Sequence, residues 1–138
     1  MCDDDAVSSS ASHDNASAEV TVSRHGAIAI VTLNRPEVSN AFDQRMMDAT
    51  TVRLHDLGRD ERVRAILISG AGKHFCAGAD VSKPRSGGDG LKHSSFVDLF
   101  LVAETCPKPT IAAIQGACIG GAAALVACCD IVVAAETA

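Results

Sequence analysis

Two short apolar runs, Ala65-Ile66-Leu67-Ile68 and Thr110-Ile111-Ala112-Ala113-Ile114, limit what this chain can fold into more than any other feature. Each is uncharged, too short for a typical helix and followed by glycine, the pattern of strands buried on both faces of a parallel sheet. Parallel strands need a crossover, and the sequence between the runs supplies helical spacing: Phe96, Leu99, Phe100 and Ala103, opened by a Ser95/Asp98 capping box and closed by Pro107 and Pro109. The order strand, helix, strand places the chain in the α/β class.

The same grammar extends in both directions. Upstream, Val20 and Val22 and then Ala27-Ile28-Ala29-Ile30-Val31-Thr32-Leu33 predict a hairpin turning at Gly26, which Asn34-Arg35-Pro36 ends because proline cannot donate to a ladder. Asp43 is the predicted N-cap of a helix with Met46, Met47, Leu54 and Leu57 on its apolar face and Gly58 as its stop. Downstream, a small-residue helix is predicted to about Cys129, followed by a strand over Asp130-Ile131-Val132-Val133-Ala134. Residues 81–93, rich in Ser, Gly and Lys, predict a loop. Residues 1–18 hold Asp3, Asp4, Asp5 and Asp14 among serines and alanines, with too little apolar surface to offset the entropy of ordering. A disordered tail over 1–18 and one domain over 19–138 are therefore expected.

Composition removes several function classes. A net charge of −5 and the absence of Trp and Tyr exclude the basic, stacking surface that nucleic acid requires, so no nucleic-acid partner is expected. The six cysteines, Cys2, Cys76, Cys106, Cys118, Cys128 and Cys129, form no CxxC pair and have no histidine at zinc-ligand spacing. Packed, reduced thiols and no metal are the expectation. Without a secretory leader pattern or an apolar run of about 20 residues, the chain reads as a cytoplasmic protein with no membrane partner.

Two glycine-bearing loops follow the apolar runs. In Phe75-Cys76-Ala77-Gly78-Ala79-Asp80 and in Gly116-Ala117-Cys118-Ile119-Gly120-Gly121-Ala122, bare backbone can approach a ligand without side chains in the way. The amides near Gly121 open the small-residue helix, where unpaired donors favour an anion or a developing oxyanion. Taken singly, such loops serve tight turns more often than catalysis. Neither reads as a nucleotide loop, since GxxxxGK[ST] and GxGxxG are both missing.

The ordered set Asn34-Arg35-Pro36, Asn40-Ala41, the 75–80 loop, Pro109-Thr110-Ile111-Ala112-Ala113-Ile114-Gln115-Gly116, Gly120-Gly121 and Cys129-Asp130-Ile131 resembles the enoyl-CoA hydratase/isomerase (crotonase) family. The likeness covers nearly everything from Glu19 onward. It implies a spiral of ββα units, cut here before the family's later turns and helical segment, and a role in acyl-CoA (fatty acid) metabolism. By the same resemblance, the backbone N–H groups of Ala79 and Gly121 form an oxyanion hole for the thioester carbonyl of an acyl-CoA. Val38, Ala41, Ala77, Asp80, Val81 and Gly120 match acyl-CoA-contacting positions. Coenzyme A enters as part of the substrate, with no separate cofactor, and full-length members form trimer-based homo-oligomers. Arg35 faces phosphate or serves the turn at the surface; Glu37 stands where many members carry lysine.

The acid/base half of the chemistry is not legible. The family's helix glutamate matches Ala124, and its second acidic position lies beyond Ala138, so little activity is expected of this chain alone. His74 reads as a loop or surface residue, Asp80 as a loop anchor, and Asp130 as structural. Two function classes stay open: a hydratase-like or isomerase-like enzyme, and a non-catalytic remnant or subunit that binds acyl-CoA weakly or pairs with another chain.

Overall fold

A computed structural model of the protein describes residues 18–82 and 93–138. The predicted tail, except Ala18, and most of the predicted 81–93 loop lie outside the described residues.

Five strands form one sheet in sequence order: β1 (Val20–His25), β2 (Ile28–Leu33), β3 (Ala65–Gly70), β4 (Thr110–Ile114) and β5 (Ile131–Ala134). β1 and β2 are the predicted antiparallel hairpin, and every later pairing is parallel. The connections carry α1 (Gln44–Arg59), α2 (Phe96–Glu104) and α3 (Gly121–Ala127). α1 starts where the sequence says it should, with the Asp43 carboxylate accepting the Met46 amide at 3.0 Å. The Ser95/Asp98 capping box that opens α2 is complete.

Register explains the core. Ala29 pairs with Ile66 and Val31 with Ile68, and these two isoleucines pair with Thr110 and Ala112. All six are fully buried, with Met46, Leu54, Leu99 and Leu125 of the helices in the same core cluster. The opposite sheet face is only half covered, which corrects the expectation of strands buried on both faces: β3 and β4 alternate. There Thr32 and Ser69 meet hydroxyl to hydroxyl at 3.2 Å, a polar contact that a fully dry layer would not favour.

Two predicted helix ends move. Gly58 does not stop α1, which runs on to Arg59 and is capped at Asp60. Its missing side chain instead makes room for Pro107, whose ring would lie 3.2 Å from an added Cβ. α3 ends at Ala127 rather than near Cys129. β5 has no exposure pattern at all: its four residues are open, with Ile131, Val132 and Val133 about half exposed.

Candidate functional site

The two glycine loops leave the C-terminal ends of β3 and β4, the edge at which parallel sheets place ligands. They do not diverge there. The Phe75 amide donates to the Gln115 carbonyl at 2.7 Å, the Cys76 amide to Ala117 at 3.0 Å and the Ile119 amide to Cys76 at 3.1 Å. Cys76 and Cys118 are thereby paired as in a parallel sheet, so the β3–β4 ladder resumes beyond the strands. His74 adds a side-chain tie: its Nδ1 accepts the Ala117 N–H at 3.0 Å. His74 thus lies in the loop, as expected, and there acts as a half-buried bridge to the second loop.

A third segment, 35–42, braces the first loop from its other side. The Phe42 amide donates to Gly78 at 2.7 Å, the Asp80 amide to Phe42 at 2.8 Å and the Ala77 amide to Ser39 at 2.9 Å. In this pairing of Phe42 with Ala79, the N–H of Ala79 points away from Phe42. On that far side a Cβ on Gly78 would sit 2.7 Å from the Ile119 carbonyl, and Gly78 also has φ +88°, so only glycine fits. Gly120, at φ +59° and ψ −122°, turns the second loop into α3. At Gly121 the constraint is space rather than backbone: an added Cβ would meet the Phe96 ring at 2.5 Å.

Among the described residues, neither the Ala79 nor the Gly121 N–H has a hydrogen-bond acceptor, while the amides of Ala77, Gly78, Asp80, Ala122 and Ala124 do. Ala79 is exposed and Gly121 half-buried. Around them, Phe42 and Phe96 meet edge to face with ring centres 5.9 Å apart, and Phe100 follows at 5.7 Å.

Arg35 overturns its expectation. It is a 3₁₀-turn neighbour buried to 7% exposure, neither at the surface nor open to a phosphate. Its guanidinium pairs with Asp43 at 3.1 Å and Asp80 at 3.5 Å and donates to the Ala41 carbonyl at 2.9 Å. Asp80 also accepts the Ser82 hydroxyl and amide, and these bonds, with Arg35 behind them, hold its carboxyl below the ordinary aspartate range. The loop-anchor reading of Asp80 thus describes its contacts. Asn40 was missed as a functional position. Fully buried at φ +55°, it accepts the Arg35 amide and donates to the carbonyls of Ala71 and His74, tying the 35–42 segment to the turn after β3. An asparagine just past a proline turn, a residue type that tolerates left-handed backbone, was the available signal.

Of the other predicted contact positions, Val81 is 95% exposed and Val38 38%, Gly120 is open, Ala77 is half-buried and Ala41 nearly closed. The first turn of α3, Ala122-Ala123-Ala124, carries no titratable side chain. Asp130 is structural, its carboxylate accepting the Thr110 amide and hydroxyl. Among the described residues no cluster of His, Cys, Asp and Glu is placed to hold a metal ion, and no helix is long and apolar enough to cross a membrane.

The enoyl-CoA hydratase/isomerase family model matches residues 23–138. The chain belongs to that family. It is 38% identical over 124 residues to the human mitochondrial Delta(3,5)-Delta(2,4)-dienoyl-CoA isomerase, covering 78% of this chain and 37% of the relative. Among solved structures, an enoyl-CoA hydratase/isomerase from Xanthobacter autotrophicus Py2 superimposes with TM-score 0.74 at 33% identity, over 88% of this chain and 47% of that one. A monofunctional enoyl CoA isomerase from M. smegmatis gives 0.70 at 32%, over 84% and 49%. The chain therefore spans half or less of the length of these relatives. The fold is the α/β crotonase fold of the family, and acyl-CoA metabolism is the chemistry its relatives' names share.

Proposed function

We propose that this enoyl-CoA hydratase/isomerase-family protein binds an acyl-CoA through its thioester carbonyl, with the main-chain amides of Ala79 and Gly121 as the two donors. One observation carries the reading: these two N–H groups lack an acceptor among the described residues and lie on loops that the Cys76–Cys118 pairing holds side by side. Two such donors favour the enolate-like charge that develops when a proton or water is added next to a thioester carbonyl. Val38, Ala41, Ala77, Val81 and Gly120 would line the coenzyme A side of the ligand, with Asp80 holding the loop they flank. Coenzyme A is then part of the substrate, and no separate cofactor is invoked. The exposed apolar edge at β5 supports association with further polypeptide, trimer-based in the family by the resemblance described above.

A second reading, binding without turnover, is favoured by Ala124, which puts a methyl group where hydratases of the family place a glutamate. A positioned acid or base contributes about 10²–10⁴ in rate, so the native chain should bind a short enoyl-CoA and turn it over slowly. Calorimetric titration separates binding from loss of enoyl absorbance. Ala79→Pro, which removes one donor, should lower any turnover by about 10²–10³, and Ala124→Glu should raise it. Unchanged binding and turnover in Ala79→Pro would remove Ala79 from the site.

A further inference from the structure

Cys76 and Cys118 are paired across the two glycine loops, and nothing in the acyl-CoA reading uses either thiol. Residues paired in a parallel ladder point their side chains to the same face. Neighbouring strands lie about 4.8 Å apart, inside the Cα separation of roughly 4.4–6.8 Å that a disulfide spans. The pairing of these two residues therefore supplies disulfide-compatible backbone. Burial pushes the Cys76 thiol up to about 11, with a smaller contribution from the nearby Cys118. Cys76 is fully buried, whereas Cys118 is partly open to solvent, so one thiol is reachable and the other waits behind it. The remaining described cysteines, Cys106, Cys128 and Cys129, share none of this loop pairing.

We propose that Cys76 and Cys118 form a dithiol modification site that a hydroperoxide converts into a disulfide joining the two glycine loops. The Cys118 thiolate attacks the peroxide, an S–O bond forms as the O–O bond breaks, and the released oxygen leaves as water or alcohol. The Cys76 sulfur then displaces hydroxide from the sulfenic acid, forming the S–S bond, and the hydroxide is protonated to water. Two thiols are oxidised and one peroxide is reduced. Burial raises both thiols, so thiolate is scarce at neutral pH and the step quickens by about tenfold per pH unit below their titration. The Gly78 amide donates to Cys76 Sγ at 3.4 Å. Turning that sulfur toward Cys118 frees the amide one residue before Ala79. The effect on ligand binding rests on the acyl-CoA reading; the cross-link itself does not.

The test uses the full chain treated with hydrogen peroxide at neutral and at alkaline pH, then denatured with alkylating agent and digested without reduction. Lys108 is followed by proline, so trypsin leaves Cys118 on a peptide with other cysteines and tandem mass spectrometry must place the link. The expected product is a 76–118 cross-linked peptide two hydrogens lighter than its parts, formed faster at high pH, reversed by dithiothreitol and lost in Cys118→Ser. The mapping on the unmutated chain decides the matter even where the variant folds poorly. Recovery of both thiols alkylated, Cys118 as a sulfinic acid beside a free Cys76, or links of either to another cysteine would each overturn the proposal.

Discussion

Arg35 shows how much one buried side chain can organise. Its guanidinium, 8% exposed, meets two carboxylates that are 6% and 9% exposed and a main-chain carbonyl, so it joins the 35–42 segment to both the N-cap of α1 and the end of the 75–80 loop. Removing one partner of a buried ion pair leaves charge without compensation and costs about 3–5 kcal/mol. Arg35→Met should therefore lower the urea midpoint at an unchanged slope, and an unmoved midpoint would show that the cluster does not hold these segments together. The sequence could not announce this role. Asp80 lies 45 positions away, and an arginine before a proline looks the same whether it faces water or carboxylates. Asp43 was legible as a cap because its partner, the Met46 amide, is three residues on.

At the scale of elements, the predictable parts are those set by neighbours in sequence. The hairpin, the alternation of strands and helices along the chain and the N-caps of α1 and α2 follow from local period and capping chemistry. Features set by distant contacts did not: Gly58 stays helical and leaves room for Pro107, and β3 alternates between buried and half-buried residues. The convergence of the glycine loops belongs with these, since each loop read alone is an ordinary turn. The junction of β4 and β5 offers a pH test. Hydrogen bonds from the Thr110 amide and hydroxyl hold the Asp130 carboxyl below its ordinary value. A depressed carboxylate adds stability that is complete above the unfolded value, near 3.9, and is lost as pH falls through the folded one. Asp130→Asn should thus melt below the native chain at neutral pH, with the gap closing in acid. A gap constant with pH would mean that the charge contributes nothing.

For the whole molecule, β5 stands out as an open edge carrying Ile131, Val132 and Val133 at 47–57% exposure. Such an edge templates strand pairing unless a charge interrupts it. Val133→Lys should raise the concentration at which light scattering first detects association while leaving the melting temperature nearly unchanged. Equal onset in both proteins would mean that self-association uses another surface. The sheet also sets a length scale at its other end. Because the β3–β4 ladder resumes at Cys76 and Cys118, the gap between the glycine loops is inherited from strand spacing rather than found by loop motion. One residue inserted between Gly70 and Phe75 would slide one loop along the other by about 3.3 Å, more than a hydrogen bond tolerates. The number of residues leading into this pairing is therefore fixed by the sheet, whatever side chains surround the two loops.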